Sequence, residues 1–170
     1  MKLVNLIEED FTNYQKPGMF LGFPLCSGKC NDEAGKIVCQ NYTLNKAELI
    51  DISVDEIIRR YRNNPISKAL ICGGLEPFDT VHALYDICEA FRANFEDDIV
   101  IYTGYYPHEI NKDVYAIAWA LEKKAIRKIS YTGARLIVKY GRFIPGHKPH
   151  FDETLGVFLA SDNQYAKRIA

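Results

Sequence analysis

Three short apolar runs, each stopped abruptly by proline or glycine, constrain this chain more than any other feature. Residues 19–23 run into Pro24, Ala69-Leu70-Ile71-Cys72 stops at Gly73-Gly74, and Ile99-Val100-Ile101-Tyr102 ends in Thr103-Gly104. Runs of this length, bounded by turn residues, read as buried strands. Between them the apolar spacing becomes helical. Ser53 stands three residues before Glu56, a capping-box spacing. Behind it Val54, Ile57, Ile58 and Tyr61 share one helix face. A second stripe joins Val81, Leu84, Ile87, Cys88, Phe91 and Phe95 behind a cap at Asp79 or Thr80, and a third joins Val114, Ile117, Ala118 and Leu121. Residues 127–131 and 135–139 are further strand candidates. Strands separated by helical stripes predict an α/β chain built of βα units around a mainly parallel sheet. Ligands of such sheets and barrels sit beyond the carboxyl ends of the strands. Three of those ends carry unusual residues here: a cysteine loop, Gly73-Gly74 and Thr103-Gly104.

The 170 residues show no repeat and no linker, so residues 1–170 read as one domain. The Gly- and Pro-rich stretch from about residue 141 reads as an irregular tail folded onto it. Lys plus Arg is 21 against Asp plus Glu at 22, which leaves no basic field for nucleic acid. Arg59, Arg60 and Arg62 read as a solvated helix face. No stretch approaches the roughly 18 apolar residues of a membrane span. The chain turns acidic at Glu8-Glu9-Asp10, too early for a signal peptide, so a cytoplasmic location is expected. Five cysteines in a reducing compartment do not read as a disulfide framework. An odd number with three close together points to a metal site.

Those three are Cys26, Cys30 and Cys39. Thiolates are ligands of iron–sulfur clusters and of zinc. Three residues separate the first two, and eight separate the second from the third. Asn31, Asp32 and Gly35 within the longer gap favour turns, so the chain can double back to present the third sulfur. Three thiols on a four-iron cluster would leave one iron open to a small molecule. A zinc site would need a fourth ligand from His147, His150, Cys72 or Cys88, none at a knuckle spacing; unconnected thiols are the remaining alternative. Cys72 and Cys88, in a strand and on an apolar helix face, read as packing residues. Adjacent Gly73 and Gly74 let the backbone approach a ligand closely. Glu76 can pair with an ammonium group, Thr103 can bond a ribose hydroxyl, and the flanking tyrosines can stack on a base. Taken singly, each is also what a plain strand-to-helix turn contains.

Together and in this order, the segments resemble the radical S-adenosylmethionine superfamily, most closely the activating enzymes of anaerobic ribonucleoside-triphosphate reductases. Phe20-Leu21-Gly22-Phe23 through Cys26, Cys30 and Cys39-Gln40-Asn41 resembles the cluster loop with its following Asn. Cys72-Gly73-Gly74-Leu75-Glu76-Pro77 is similar to the Gly-Gly-acid-Pro turn that binds the cofactor's methionine part. The strand ending in Thr103-Gly104-Tyr105, then Gly141-Arg142-Phe143-Ile144 and Ser161-Asp162-Asn163-Gln164, complete the match. The superfamily's usual spacing is Cys-x3-Cys-x2-Cys with an aromatic before the last cysteine. Here the second gap is eight, Val38 takes the aromatic's place, and Leu75 is inserted before the acid.

The resemblance implies a compact partial (β/α) barrel with a 4Fe-4S cluster on Cys26, Cys30 and Cys39. It also implies S-adenosylmethionine held by Gly73, Gly74, Glu76, Thr103 and Asn41. Reductive cleavage of that cofactor would yield a radical that removes hydrogen from a glycine of the partner reductase. An electron donor such as flavodoxin or ferredoxin is expected. No acid–base catalytic residue is required, and no Ser-His-Asp set or carboxylate pair is recognisable. Two other functions fit the residues: a radical enzyme acting on a small molecule, and a zinc- or cluster-binding interaction module without catalysis.

Overall fold

In the computed structural model, which describes residues 1–125 and 135–169, two strands precede the run expected to be first. They are β1 (Lys2–Leu3) and β2 (Asn5–Asp10), followed by β3 (Gly18–Phe23). Then come α1 (Lys29–Ala34), β4 (Ile50–Asp51), α2 (Val54–Asn63), β5 (Ala69–Gly74), α3 (Val81–Asn94), β6 (Asp98–Tyr102), α4 (Pro107–Ala125) and β7 (Leu136–Tyr140). The chain closes with β8 (His150–Asp152), β9 (Val157–Leu159) and β10 (Tyr165–Arg168). The strand expected at 127–131 lies outside the described residues.

Among the described residues six strands form one open sheet in the order β10-β7-β6-β5-β3-β2. The four central strands are parallel, in register through Phe20↔Ile71, Ile71↔Val100 and Val100↔Ile137. Both edges are antiparallel, β2 on β3 and β10 on β7. The tail is therefore not irregular throughout. Residues 141–149 are loop, but β8 and β9 pair as a hairpin and β10 completes the main sheet. Strands of three or four residues are too short to display an alternating pattern, and turn-rich neighbours masked them.

Strand periodicity sorts the core into two layers. Leu70, Cys72, Ile99, Ile101, Leu136 and Val138 pack under Ile57, Leu84, Ile87, Phe91, Val114, Ile117 and Leu121 of α2, α3 and α4. The alternate residues Phe20, Ile71, Val100 and Ile137 face the other way and meet Tyr14, Leu155 and Leu159. α2, α3 and α4 thus cover one face, and among the described residues the β2–β3 turn and the β8–β9 hairpin pack against the other.

Ser53 caps α2, accepting the Glu56 N–H at 3.1 Å, while the Glu56 carboxylate turns outward to Arg59 and Arg60. A single 3₁₀ turn, Pro77–Thr80, joins β5 to α3. At the far end of the sheet Asp98, 4 % exposed at its side chain, accepts from Tyr14 at 3.0 Å and Lys16 at 2.5 Å, with Arg168 at 3.6 Å. This ties the β2–β3 turn and the last strand to the start of β6. Among the described residues no helix is long and apolar enough to cross a membrane.

Candidate metal centre

A cleft of about 560 Å³ opens at the carboxyl ends of the parallel strands, on the side away from α2, α3 and α4. Cys26, Cys30 and Cys39 line it together with Asn41, Gly73, Gly74, Glu76 and Thr103. The segments that follow β3, β5, β6 and β7 meet there because those four strands all point the same way.

The loop bearing Cys26 leaves β3 and is stitched to the turn after β5. Leu75 N–H donates to Phe23 O at 3.1 Å, and Glu76 N–H donates to Leu25 O at 2.7 Å. Ser27 N–H donates to Asp79 at 2.5 Å. Gly74 makes the close approach possible: its φ is +86°, and a Cβ there would lie 2.7 Å from Gly22 Cα. Asn41 donates its amide to Gly74 O at 2.7 Å, closing the far side of the loop on the same turn.

Cys30 sits on α1, between Gly28 and Gly35, both left-handed at φ +80° and +63°. The eight-residue gap is mostly this one short helix and its reversal. Asn31 Oδ1 then accepts the N–H groups of Val38 and Cys39, at 2.8 and 3.1 Å, which folds Cys39 back beside the helix. Burial pushes the Cys26 thiol up, opposed by the Gly28 N–H donating to its sulfur at 3.3 Å. Burial and then the neighbouring Cys39 push the Cys30 thiol up, opposed by the Phe143 N–H and the Arg142 guanidinium.

Glu76 is almost fully buried in the cleft wall. Its Oε1 accepts from the Thr103 hydroxyl at 2.8 Å and the Phe78 N–H at 3.2 Å, and its Oε2 accepts from the Gly104 N–H at 2.8 Å. Burial raises its carboxyl to about 7 although all three donors favour the anion. Thr103 is committed on both sides, donating to Glu76 and accepting from the Tyr105 N–H at 3.0 Å. Tyr105 turns its hydroxyl to Asp79 at 2.5 Å and Ser27 at 3.1 Å, and Tyr102 bonds Asn13 O.

Two lining residues were not assigned to the site from the sequence. Lys139 of β7, 6 % exposed, donates to Gly141 O at 2.9 Å, and burial lowers its ammonium to about 8. Gln164 donates to the same carbonyl at 3.2 Å. A lysine inside Leu136-Ile137-Val138-Lys139-Tyr140 was the available signal, since a strand buried on both faces has no solvent for a charge to reach.

The residues fit an iron–sulfur cluster. The donor set is three soft thiols, with a backbone N–H already directed at one sulfur, as cluster sites have. Gly104 leaves room beside them: a Cβ there would sit 3.7 Å from Cys30 Sγ and 3.6 Å from Glu76 Oε2. Residues 23–133, well over half the chain and spanning all three cysteines, match the 4Fe-4S single cluster domain family. The chain belongs to that family. It is an iron–sulfur protein with a 4Fe-4S cluster as its cofactor. No curated protein and no solved structure matches it.

The fourth ligands considered for zinc lie elsewhere in this iron–sulfur protein. Cys72 and Cys88 are fully buried in the core under the helices. His147 pairs with Asp162 at 2.5 Å, and neither it nor His150 lines the cleft. Among the described residues no three His, Cys, Asp or Glu side chains are grouped for a single metal ion.

Proposed function

We propose that Cys26, Cys30 and Cys39 hold the cluster and that the chain is a radical S-adenosylmethionine enzyme. Its product would be a glycyl radical on an anaerobic ribonucleotide reductase. The observation behind this is the meeting of the three thiols with Gly73, Gly74, Glu76 and Asn41 in one cleft at the strand ends. Parallel strands backed by helices, with a ligand cleft at their carboxyl ends, are also what a (β/α) barrel opened along one side would have, the fold expected from the resemblance.

When bound, the cluster would supply low-potential electron transfer toward a sulfonium ligand. The chain's own residues bind and orient that ligand. Glu76 receives the ammonium group, whose positive charge offsets the desolvation that otherwise keeps its carboxyl at about 7. Gly73 and Gly74 bring backbone groups within reach, and Asn41 fixes the Gly74 carbonyl at 2.7 Å. Thr103 steadies Glu76 at 2.8 Å rather than reaching out itself. Phe20 and Phe143 give the wall apolar patches that limit water. The cleft's open mouth suits a flexible glycine loop of a large partner, with flavodoxin or ferredoxin as electron donor.

The test is anaerobic. The reconstituted, reduced protein mixed with S-adenosylmethionine should release methionine and 5′-deoxyadenosine. With the reductase added, a glycyl-radical doublet should appear in the electron paramagnetic resonance spectrum. A cluster-loaded protein that never cleaves the cofactor refutes the proposal.

A further inference from the structure

The helix that carries Cys30 has no core of its own. None of the six residues of α1 is buried, and a helix that short has no stability in isolation. Something outside it must fix where the Cys30 sulfur lies. Glu109, in the first turn of α4, accepts Lys29 Nζ at 2.8 Å from the start of α1. It also accepts both terminal nitrogens of Arg142, at 2.9 and 2.7 Å. Arg142 in turn lies 3.2 Å from Glu33 near the end of α1, with its own side chain only 3 % exposed. The Tyr106 N–H holds Glu109 at 2.8 Å, and Asn163 holds the Arg142 carbonyl at 2.9 Å. One carboxylate and one guanidinium, anchored from α4 and from the tail, therefore grip α1 at both ends. Arg142 Cγ and Cys30 Sγ each lie 3.7 Å from the point a Gly104 Cβ would occupy, so the grip reaches the ligand's own surroundings.

We infer that the Glu109–Arg142 pair is the clamp that positions Cys30 as a cluster ligand, in place of the core packing that α1 lacks. Both are positioning residues; neither touches the reacting atoms. The inference rests on Cys30 being a ligand, but the clamp itself exists without iron and is measurable in the iron-free chain. Arginine is required for the two-pronged contact. Lysine at 142 keeps the charge and loses the fork.

Hydrogen exchange on iron-free wild type, Glu109→Gln, Arg142→Gln and Arg142→Lys provides the first test. Exchange at residues 29–35 should rise at least about tenfold in the two Gln variants and less in Arg142→Lys, with β5 and β6 unchanged. A uniform rise, or rates in α1 within twofold of wild type, overturns the clamp. Reconstitution provides the second test. The Gln variants should lose about one iron in four and show a three-iron resonance signal, whereas retention of an unaltered four-iron cluster overturns the positioning role. A wild type that accepts no iron would refute the ligand assignment instead, leaving the exchange result to decide the clamp.

Discussion

Replacing Gly74 by alanine should be among the most damaging single-methyl changes available to this chain. The residue ends β5 at φ +86°, directly beside Phe23 of β3, and closes the turn that carries Glu76. A left-handed conformation costs a residue with a Cβ about 1–2 kcal/mol. The added carbon would also lie 2.7 Å from Gly22 Cα, 2.8 Å from Phe23 N and 2.9 Å from Gly22 C. All three are backbone atoms of the neighbouring strand, so no rotamer change relieves the contact, and overpacking adds about 1–3 kcal/mol. The expected loss is about 3–4 kcal/mol, which for a domain of this length lowers Tm on the order of 10 °C. Gly73→Ala is the internal control. Its Cβ would meet Phe20 ring atoms at 2.9 and 3.0 Å, and a ring beside an open cleft can swing aside at a cost of about 1 kcal/mol. Urea unfolding of the iron-free proteins, followed by circular dichroism, measures both. A Gly74→Ala variant within about 0.5 kcal/mol of wild type, or a Gly73→Ala variant that suffers more, refutes the account of this turn.

Alanine at Cys26, Cys30 or Cys39 should each abolish cluster retention, measured as iron content and visible absorbance, whereas Cys72→Ala and Cys88→Ala should keep it; iron loss in Cys88→Ala would overturn the ligand set. Glu76 makes the stability of the iron-free chain fall as pH rises. Its carboxyl is neutral in both states below about 4.5, and the cost of its buried charge is complete above about 7. Wild type should lose about 3 kcal/mol across that window relative to Glu76→Gln, and parallel profiles would refute this. Asp98 acts in the opposite sense. Burial would raise its pKa, but Lys16, Tyr14 and Arg168 outweigh burial and hold it below the usual range. Its contribution is therefore present at neutral pH and lost as acid protonates it. Asp98→Asn should cost about 2 kcal/mol at pH 7 and progressively less as pH falls below the usual carboxylate range, and a cost independent of pH would sink the assignment.

The sheet's centre was legible because β5, β6 and β7 are buried on both faces and so appear as short apolar runs, broken in β7 only by Lys139. α2, α3 and α4 were legible because each shows a 3.6-residue stripe to that sheet. The edges were not. β2 is half exposed and alternates weakly, and β8, β9 and β10 are three or four residues long. At the site, residues beside a turn or a cysteine could be named from the sequence: Cys26, Cys30, Cys39, Gly73, Gly74, Glu76, Thr103 and Asn41. Lys139 and Gln164, which reach the cleft through tertiary placement, and Glu109 and Arg142, which reach α1 in the same way, could not be assigned to the site. Thr103 shows the limit from the other direction. Its position was readable, but its commitment to Glu76 depends on a hydrogen bond across 27 residues of sequence.

The eight-residue interval between Cys30 and Cys39 is the feature most at odds with the resemblance, and the structure supplies a physical account of it. Counting residues measures the distance between two sulfurs only when the chain between them is extended. Here the first four of the eight residues coil into α1, Gly35 reverses the chain at φ +63°, and Asn31 Oδ1 accepts the Val38 and Cys39 N–H groups at 2.8 and 3.1 Å. A long interval closed in this way returns the third cysteine to the cleft that the first two line. The cost is a helix without buried residues, which a shorter loop would not need to hold. A loop enlarged by a helix therefore calls for an external grip on that helix. Glu109 and Arg142, from parts of the chain a bare cysteine motif would not involve, are placed to provide it.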